Sequence, residues 1–242
     1  MAPIRMHVVV PITTPDFRAS ADFSSLFDGG VAVTQSQIER GPASIECEYD
    51  EALAQPDIVA KALAAEQAGA DAVVIDCMGD PGMEAAREVL DVPVFGPCQT
   101  SMHVASMLAH RFSVLTVLER LAPFFEVRAG RYGVAGKLAS VRAVDIPVLD
   151  LDRDRDRMVK TLTEQGVRAI EQDGAHALVF GCTGMLGCAD ALAAALAEAG
   201  HAGVPVIDPM PVTLRVAAGL VASGLAHSGR TYPAPPLKER VG

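Results

Sequence analysis

The chain is short of positive charge. Its 242 residues carry 20 Lys and Arg against 30 Asp and Glu, a formal net charge of −10. No basic patch occurs, and no basic strip interleaved with aromatic side chains, which argues against a nucleic-acid partner. Long apolar runs are missing too. The best candidate for a membrane span, Val212–Ala226, carries Arg215 and falls short of the length a bilayer needs. The N-terminal MAPIRMHVVVP reads as a first strand, not a signal peptide. There is no CxxC, no zinc-type Cys/His spacing, no HExxH, no GxGxxG and no GxSxG. Gly133-Val134-Ala135-Gly136-Lys137-Leu138 is too short for a phosphate loop, and no Ser or Thr follows Lys137. Nothing therefore calls for a metal, a nucleotide or a flavin. Five cysteines, Cys47, Cys77, Cys98, Cys182 and Cys188, are an odd number in a chain that is 50% hydrophobic. That suits free thiols in a reducing cytoplasm better than a disulfide framework.

What is present is a repeat. Residues 66–77, EQAGADAVVIDC, and 171–182, EQDGAHALVFGC, share seven of twelve positions. The exchanges Val73/Leu178 and Ile75/Phe180 keep apolar character. VPVFGPCQTSMHVASMLA (92–109) echoes VPVIDPMPVTLRVAAGLV (204–221), and RMHVVVP (5–11) more weakly echoes RFSVLTV (111–117). Short β-rich runs alternate with longer Ala/Leu-rich segments in each half, the pattern of βαβ units. The fold expected is α/β, with two similar lobes, each a parallel sheet flanked by helices, related by a pseudo-twofold axis. Strands are predicted at about 4–11, 71–76, 92–96, 111–117, 141–145, 175–181 and 204–208. Helices are predicted at about 51–68, 82–90, 100–109, 120–130, 152–173, 187–200 and 211–226. Segment 14–45 reads as a loop with a short helix followed by a possible strand, VAVTQSQI, and the Pro-rich tail 228–242 as irregular. Crossings near Gly96–Thr100 and Pro209–Pro211 would divide the chain into a first lobe, 1–97 plus 210–242, and a second, 98–209. The run DLDRDRDR (150–157) reads as a solvated helix start.

Cys77 and Cys182 occupy matching places in the repeat. Each follows an apolar run, so each is expected at the C-terminal end of a parallel strand, where open α/β sheets bind ligands. Each enters a glycine-bearing turn, Met78-Gly79-Asp80-Pro81-Gly82 or Thr183-Gly184-Met185-Leu186-Gly187. Asp80 is placed to cap the following helix, with Pro81 at its first position. A nearby helix N-terminus would lower each thiol's pKa. Across one cleft, one thiolate could take a proton from an acidic carbon while the opposite thiol returns one to the other face. Backbone N–H groups beside each sulfur could hold an enolate oxygen or a carboxylate. Thr13 and Thr14, at the end of the first strand, point toward the same cleft. Cys47, Cys98 and Cys188 have no repeat partner and read as packing residues, and Asp76, opposite Gly181 in the repeat, stands outside any shared machinery.

The segments GPASIECEYDEAL (41–53), CMGDPGMEAARE (77–88), RFSVLT (111–116), VFGCTGM (179–185), GVPVIDP (203–209) and SGRTYPAPPLK (228–238) resemble the aspartate/glutamate/hydantoin racemase superfamily, and within it the hydantoin and allantoin racemases. The resemblance runs over nearly the whole chain. It implies a cofactor-independent racemase or epimerase with two catalytic cysteines, here Cys77 and Cys182, between two α/β lobes, commonly in a homo-oligomer. It implies that Thr13 and the turns Met78-Gly79 and Thr183-Gly184 hold a small-molecule substrate, foremost a 5-substituted hydantoin or related cyclic ureide. An Asp/Glu-type racemase, a malonate decarboxylase and a cis-trans isomerase of the same fold are the alternatives. Hydantoin-type members usually end the first strand in Asn-Pro-Asn-Thr. Here the stretch is Val10-Pro11-Ile12-Thr13, and the chain contains no Asn.

Overall fold

A computed structural model describes residues 3–239. β1 (Ile4–Val10), β2 (Val31–Gln37), β3 (Ala72–Ile75) and β4 (Val94–Phe95) form an all-parallel sheet in the order β2-β1-β3-β4. β5 (Phe112–Thr116), β6 (Leu138–Ala143), β7 (Ala177–Phe180) and β8 (Val206–Ile207) form a second in the order β6-β5-β7-β8. The two orders match strand for strand, and the repeated segments 66–77 and 171–182 supply the third-listed strand of each. This is the two-lobed α/β architecture expected from the repeat.

Among the described residues seven α-helices cover the sheets: α1 (Glu48–Gln67), α2 (Met83–Val89), α3 (Pro97–Leu108), α4 (Ala122–Arg131), α5 (Arg155–Glu171), α6 (Ala189–Glu198) and α7 (Pro209–Ala222). Because both faces are covered, all four residues of β3 and of β7 are buried, as parallel strands require. Each such Val, Leu or Ile contributes on the order of 1.5–3 kcal/mol. Alternation along β1 sends Met6 and Val8 against Leu214 and Ala217 of α7, while Val9 joins Ile58 of α1 on the other side. In the second lobe α5 comes so close that a Cβ at Gly166 would stand 3.0 Å from Leu178 Cδ1. α3 packs on β5 and β7, α7 packs on β1 and β3, and the two helices pack on each other.

The possible strand VAVTQSQI forms as expected, as the edge strand β2, and the His7 ring sits between the hydroxyls of Thr34 and Ser36 at 2.8 Å each. Several other local expectations change. β6 begins at Leu138, earlier than expected, and the helix expected at 120–130 opens as a 3-10 turn, Glu119–Leu121. Asp154 caps α5 through the Arg157 N–H, which holds 152–154 out of the helix, and residues 152–157 are exposed. Asp80 does not cap α2, whose cap is Gly82 at φ +71. Its carboxylate instead accepts the N–H groups of Cys98 and Gln99 at 2.9 and 2.8 Å. It thus caps α3, which starts at Pro97, ahead of the expected residue 100. A Cβ at Gly96 would occupy the space of that carboxylate. Residues 225–239 carry no helix or strand, and 240–242 of the expected irregular tail lie outside the described residues. Among the described residues no helix is long and apolar enough to cross a membrane.

Candidate active site

β3 and β7 end at matching points, and two residues beyond each lies a cysteine. The Gly79 N–H donates to Cys77 Sγ at 3.4 Å, and the Gly184 N–H donates to Cys182 Sγ at 3.3 Å. The repeat has thus preserved one local device in both halves: a sulfur receiving the N–H of the glycine two residues on. Both thiols are half-buried and line one narrow cavity between the sheets, which Met78, Gly79 and Thr183 also line. The sulfurs are close enough for charge on Cys182 to oppose ionisation of Cys77.

The remaining wall is mostly apolar. Pro11 and Ile12 close it at the end of β1, and Phe17, Leu121, Phe124 and Phe125 add bulk. Thr13 and Thr14 are not on this wall. Their hydroxyls donate to the carbonyls of Pro42 and Ala43 at 3.1 and 2.7 Å, closing the loop that follows β2. Gly184 touches the site through its bond to Cys182 and is not on the wall. Cys98 and Cys188 are buried packing residues. Cys47 is not purely one: it lines the cavity just before α1.

Two buried ion pairs flank the sulfurs, and neither was legible as a pair in the sequence. Arg18 donates to both Asp76 oxygens at 2.6 and 3.1 Å and to the Thr183 carbonyl at 2.6 Å. One side chain therefore ties the residue before Cys77 to the residue after Cys182. Thr183 Oγ1 strengthens the tie by donating to the Asp76 carbonyl at 3.3 Å. Burial works against the Arg18 charge, but the negative groups around it, Asp76 foremost with Cys182 and Asp208, together outweigh it and hold the guanidinium pKa above its ordinary value. On the other flank, Glu51 Oε2 accepts from Arg128 at 2.6 Å, while Oε1 has no partner. Glu51 has a sequence signal. It continues the buried stripe of α1 through Ala54, Ile58, Ala62 and Ala65, and an acid on an apolar stripe asks for a reason.

The expected lowering of the thiol pKa values is overturned. Burial is the dominant influence on both. It pushes Cys182 up to about 11 against the opposing pull of the Gly184 N–H and the Arg18 charge. Cys77 is raised well above its ordinary value by burial and then by Glu51, with the Gly79 N–H acting the other way. The turn geometry does favour the thiolate, but desolvation in an apolar cavity is larger. Burial also raises Glu51, to about 8, with Arg128 opposing the shift.

Comparison with known proteins agrees with this architecture. The family model described as Asp/Glu/Hydantoin racemase matches residues 18–217. A hydantoin racemase from Pseudomonas sp. (strain NS671) is 43% identical over 203 residues, 84% of this chain and 79% of that protein. A hydantoin racemase from Rhizobium meliloti is 38% identical over 242 residues, 99% of this chain and 98% of that protein. Among solved structures, an allantoin racemase from Klebsiella pneumoniae superposes with a TM-score of 0.90 at 32% identity, covering 99% of this chain and 96% of that one.

Proposed function

The chain belongs to the Asp/Glu/hydantoin racemase family of isomerases, and from that premise we propose that it racemises a 5-substituted hydantoin or related cyclic ureide without a cofactor, using Cys77 and Cys182 as acid and base. The observation that carries this reading is the matched pair of thiols, each receiving a glycine N–H at a strand end and both opening on one cavity. One sulfur, as thiolate, takes the proton from the ring carbon that bears the side chain. The C–H electron pair moves toward the neighbouring carbonyl oxygen and makes an enolate. The opposite thiol then delivers its proton to the other face and is left as the thiolate. After one turnover the two sulfurs have exchanged protonation states, so the next molecule to react is of the opposite hand.

The apolar wall supports a ring ligand with a hydrophobic substituent. Ile12 stands where hydantoin-type relatives usually carry Asn, and the phenyl rings of Phe17, Phe124 and Phe125 surround the sulfurs. The cationic side chains beside the cavity, Arg18 and Arg128, are already paired with Asp76 and Glu51. Neither arginine lines the cavity, so a free amino acid's carboxylate would meet no cation on its wall, which favours a neutral ring over aspartate or glutamate. Both thiols are protonated at rest by the shifts above, so the rate should rise with pH as thiolate forms.

The test is proton–deuterium exchange at the ring carbon, followed by NMR for each enantiomer of 5-benzylhydantoin alongside chiral chromatography. Cys77→Ser and Cys182→Ser should each lose racemisation by at least about 10³-fold, as expected when one of two proton-transfer groups is removed. Each variant should still exchange the proton of at most one enantiomer. Two-way racemisation at the wild-type rate in either variant would refute the assignment.

A further inference from the structure

Three side chains on the cavity wall carry oxygen: Glu51, Asp76 and Thr183. Both Asp76 oxygens are taken by Arg18, and the Thr183 hydroxyl donates to the Asp76 carbonyl. Glu51 is different. Oε2 is held by Arg128, but Oε1 is buried, unpartnered and packed against Gly79, where a Cβ would take its place. A buried oxygen with nothing to bind is costly. On the wall of a ligand cavity, the missing partner is a group of the ligand.

Which group follows from the surroundings. Arg128 Nη2 can donate to Oε2 whether or not the acid is ionised, so the pair leaves Oε1 free to carry the hydrogen. Facing Glu51 are Arg128 from α4, Glu48 on its own helix, and Asp80 and Cys77 from the turn after β3. Glu48 and Asp80 oppose a negative charge on Glu51, and an anionic Glu51 would in turn oppose thiolate formation at Cys77. A neutral acid keeps the Arg128 bond through Oε2, avoids the repulsion of the acidic neighbours and needs only an acceptor for its hydrogen.

We propose that Glu51 meets the substrate as a neutral carboxylic acid, with the hydroxyl on its unpartnered oxygen, Oε1, donating to the carbonyl oxygen beside the acidic carbon. This rests on the racemase reading above. When a thiolate removes the ring proton, negative charge grows on that oxygen and the hydrogen bond strengthens. The bond therefore favours the enolate over the resting ring, which is the differential that accelerates a reaction. Glu51 keeps its proton throughout, and the cysteines alone carry the transferred hydrogens. Gly79 is then required twice, to supply its N–H to Cys77 and to leave room for the acid.

The experiment compares the wild type with Glu51→Gln, measuring exchange and racemisation of 5-benzylhydantoin from pH 6 to 10. The amide preserves shape and can still donate, but more weakly. At pH 7 kcat should fall about tenfold, less than the 10²–10³ typical of deleting such a donor, with KM changed less than about threefold. The pH profile is the second readout, and a merely structural role would not move it. In the wild type kcat/KM should climb as thiolate forms and then bend toward a plateau near pH 8, where Glu51 ionises. In Glu51→Gln that bend should be absent. Ionisation of the ring itself affects both proteins alike. A Gln variant with kcat within twofold of wild type, or with the same bend, would overturn the proposal. Should the variant fail to fold, the wild-type profile decides alone, and a climb with no bend between pH 7 and 9 overturns it. A wild type that leaves every hydantoin unexchanged would overturn the racemase reading, and this inference with it. Exchange with an unaltered Gln profile overturns only the role of Glu51.

Discussion

Removing the Arg18 guanidinium by Arg18→Met should destabilise the protein more than any exposed ion pair could. The Arg18 side chain is 7% exposed and that of Asp76 is 0% exposed. Their bond is bidentate, and a third bond reaches the Thr183 carbonyl. Methionine fills most of the stem's volume but leaves Asp76 as a buried carboxylate without a partner, a loss of about 3–5 kcal/mol. In a chain of this size each kcal/mol moves Tm by roughly 2–4 °C, so the expected fall is roughly 6–20 °C. The assay is thermal unfolding at neutral pH. The reasoning makes a second demand. Arg18→Met combined with Asp76→Leu removes both charges and should recover most of the loss, because the penalty comes from the stranded charge and not from the missing pair. A single variant melting within about 2 °C of wild type, or a double variant no more stable than the single, would refute the account.

Glu51 also makes stability depend on pH. Its folded pKa is raised from 4.5 to about 8, so its contribution is fully present below about 4.5 and is lost as pH rises through 8. Glu51→Gln should remove a few kcal/mol of this slope, read as a flatter dependence of unfolding free energy on pH across that window; an unchanged slope would contradict the assignment. Asp80→Ala should lower stability by roughly 2–5 kcal/mol in urea unfolding, since α3 loses its cap and the buried Tyr132 hydroxyl, 2.6 Å from the carboxylate, loses its acceptor. A loss below about 1 kcal/mol would mean that α3 does not depend on that cap.

What the sequence disclosed and what it concealed divide along one line. The sheets were readable because strand β3 and its cysteine recur 105 residues later in β7 with the same unbroken apolar run. Duplication turns a weak local signal into a strong one. β2 was weaker because it is an edge strand in which consecutive Thr34 and Gln35, on opposite faces, are both exposed, so its hydrophobic run is interrupted. The site was readable only as far as single positions allow. The partners Arg18 and Asp76 lie 58 residues apart and Glu51 and Arg128 lie 77 apart; no local rule pairs them. Asp80 shows a local rule losing to a tertiary one. Its position before Pro81 fits a cap for the next helix, but its φ of +50 turns the carboxylate to the start of α3. The thiol pKa values failed in the same way. A glycine N–H at each sulfur was visible in the turn motif, whereas the apolar cavity that outweighs it is assembled from residues of both halves.

The two halves keep the same sulfur–glycine device but surround it differently. Asp76 precedes one cysteine and Gly181 the other; a Cβ at Gly181 would crowd Thr116 at 2.8 Å, so β5 excludes an acid there. Arg18 favours charge on Cys182, while Glu51 disfavours it on Cys77. On the proposed reading this asymmetry cannot bias the outcome. Enantiomers with a single stereocentre have equal free energy in water, so kcat/KM, which measures the barrier from free enzyme and substrate, must be equal in the two directions. Unequal sulfurs can separate kcat from KM for each hand, with the easier ionisation of Cys182 lowering the barrier from one bound enantiomer and tightening or loosening its binding by the same factor. Steady-state kinetics on each pure enantiomer should therefore give unequal kcat values, unequal KM values and one common ratio. Equal kcat and equal KM for both hands would mean that the electrostatic difference between the two sulfurs vanishes once the ring is bound.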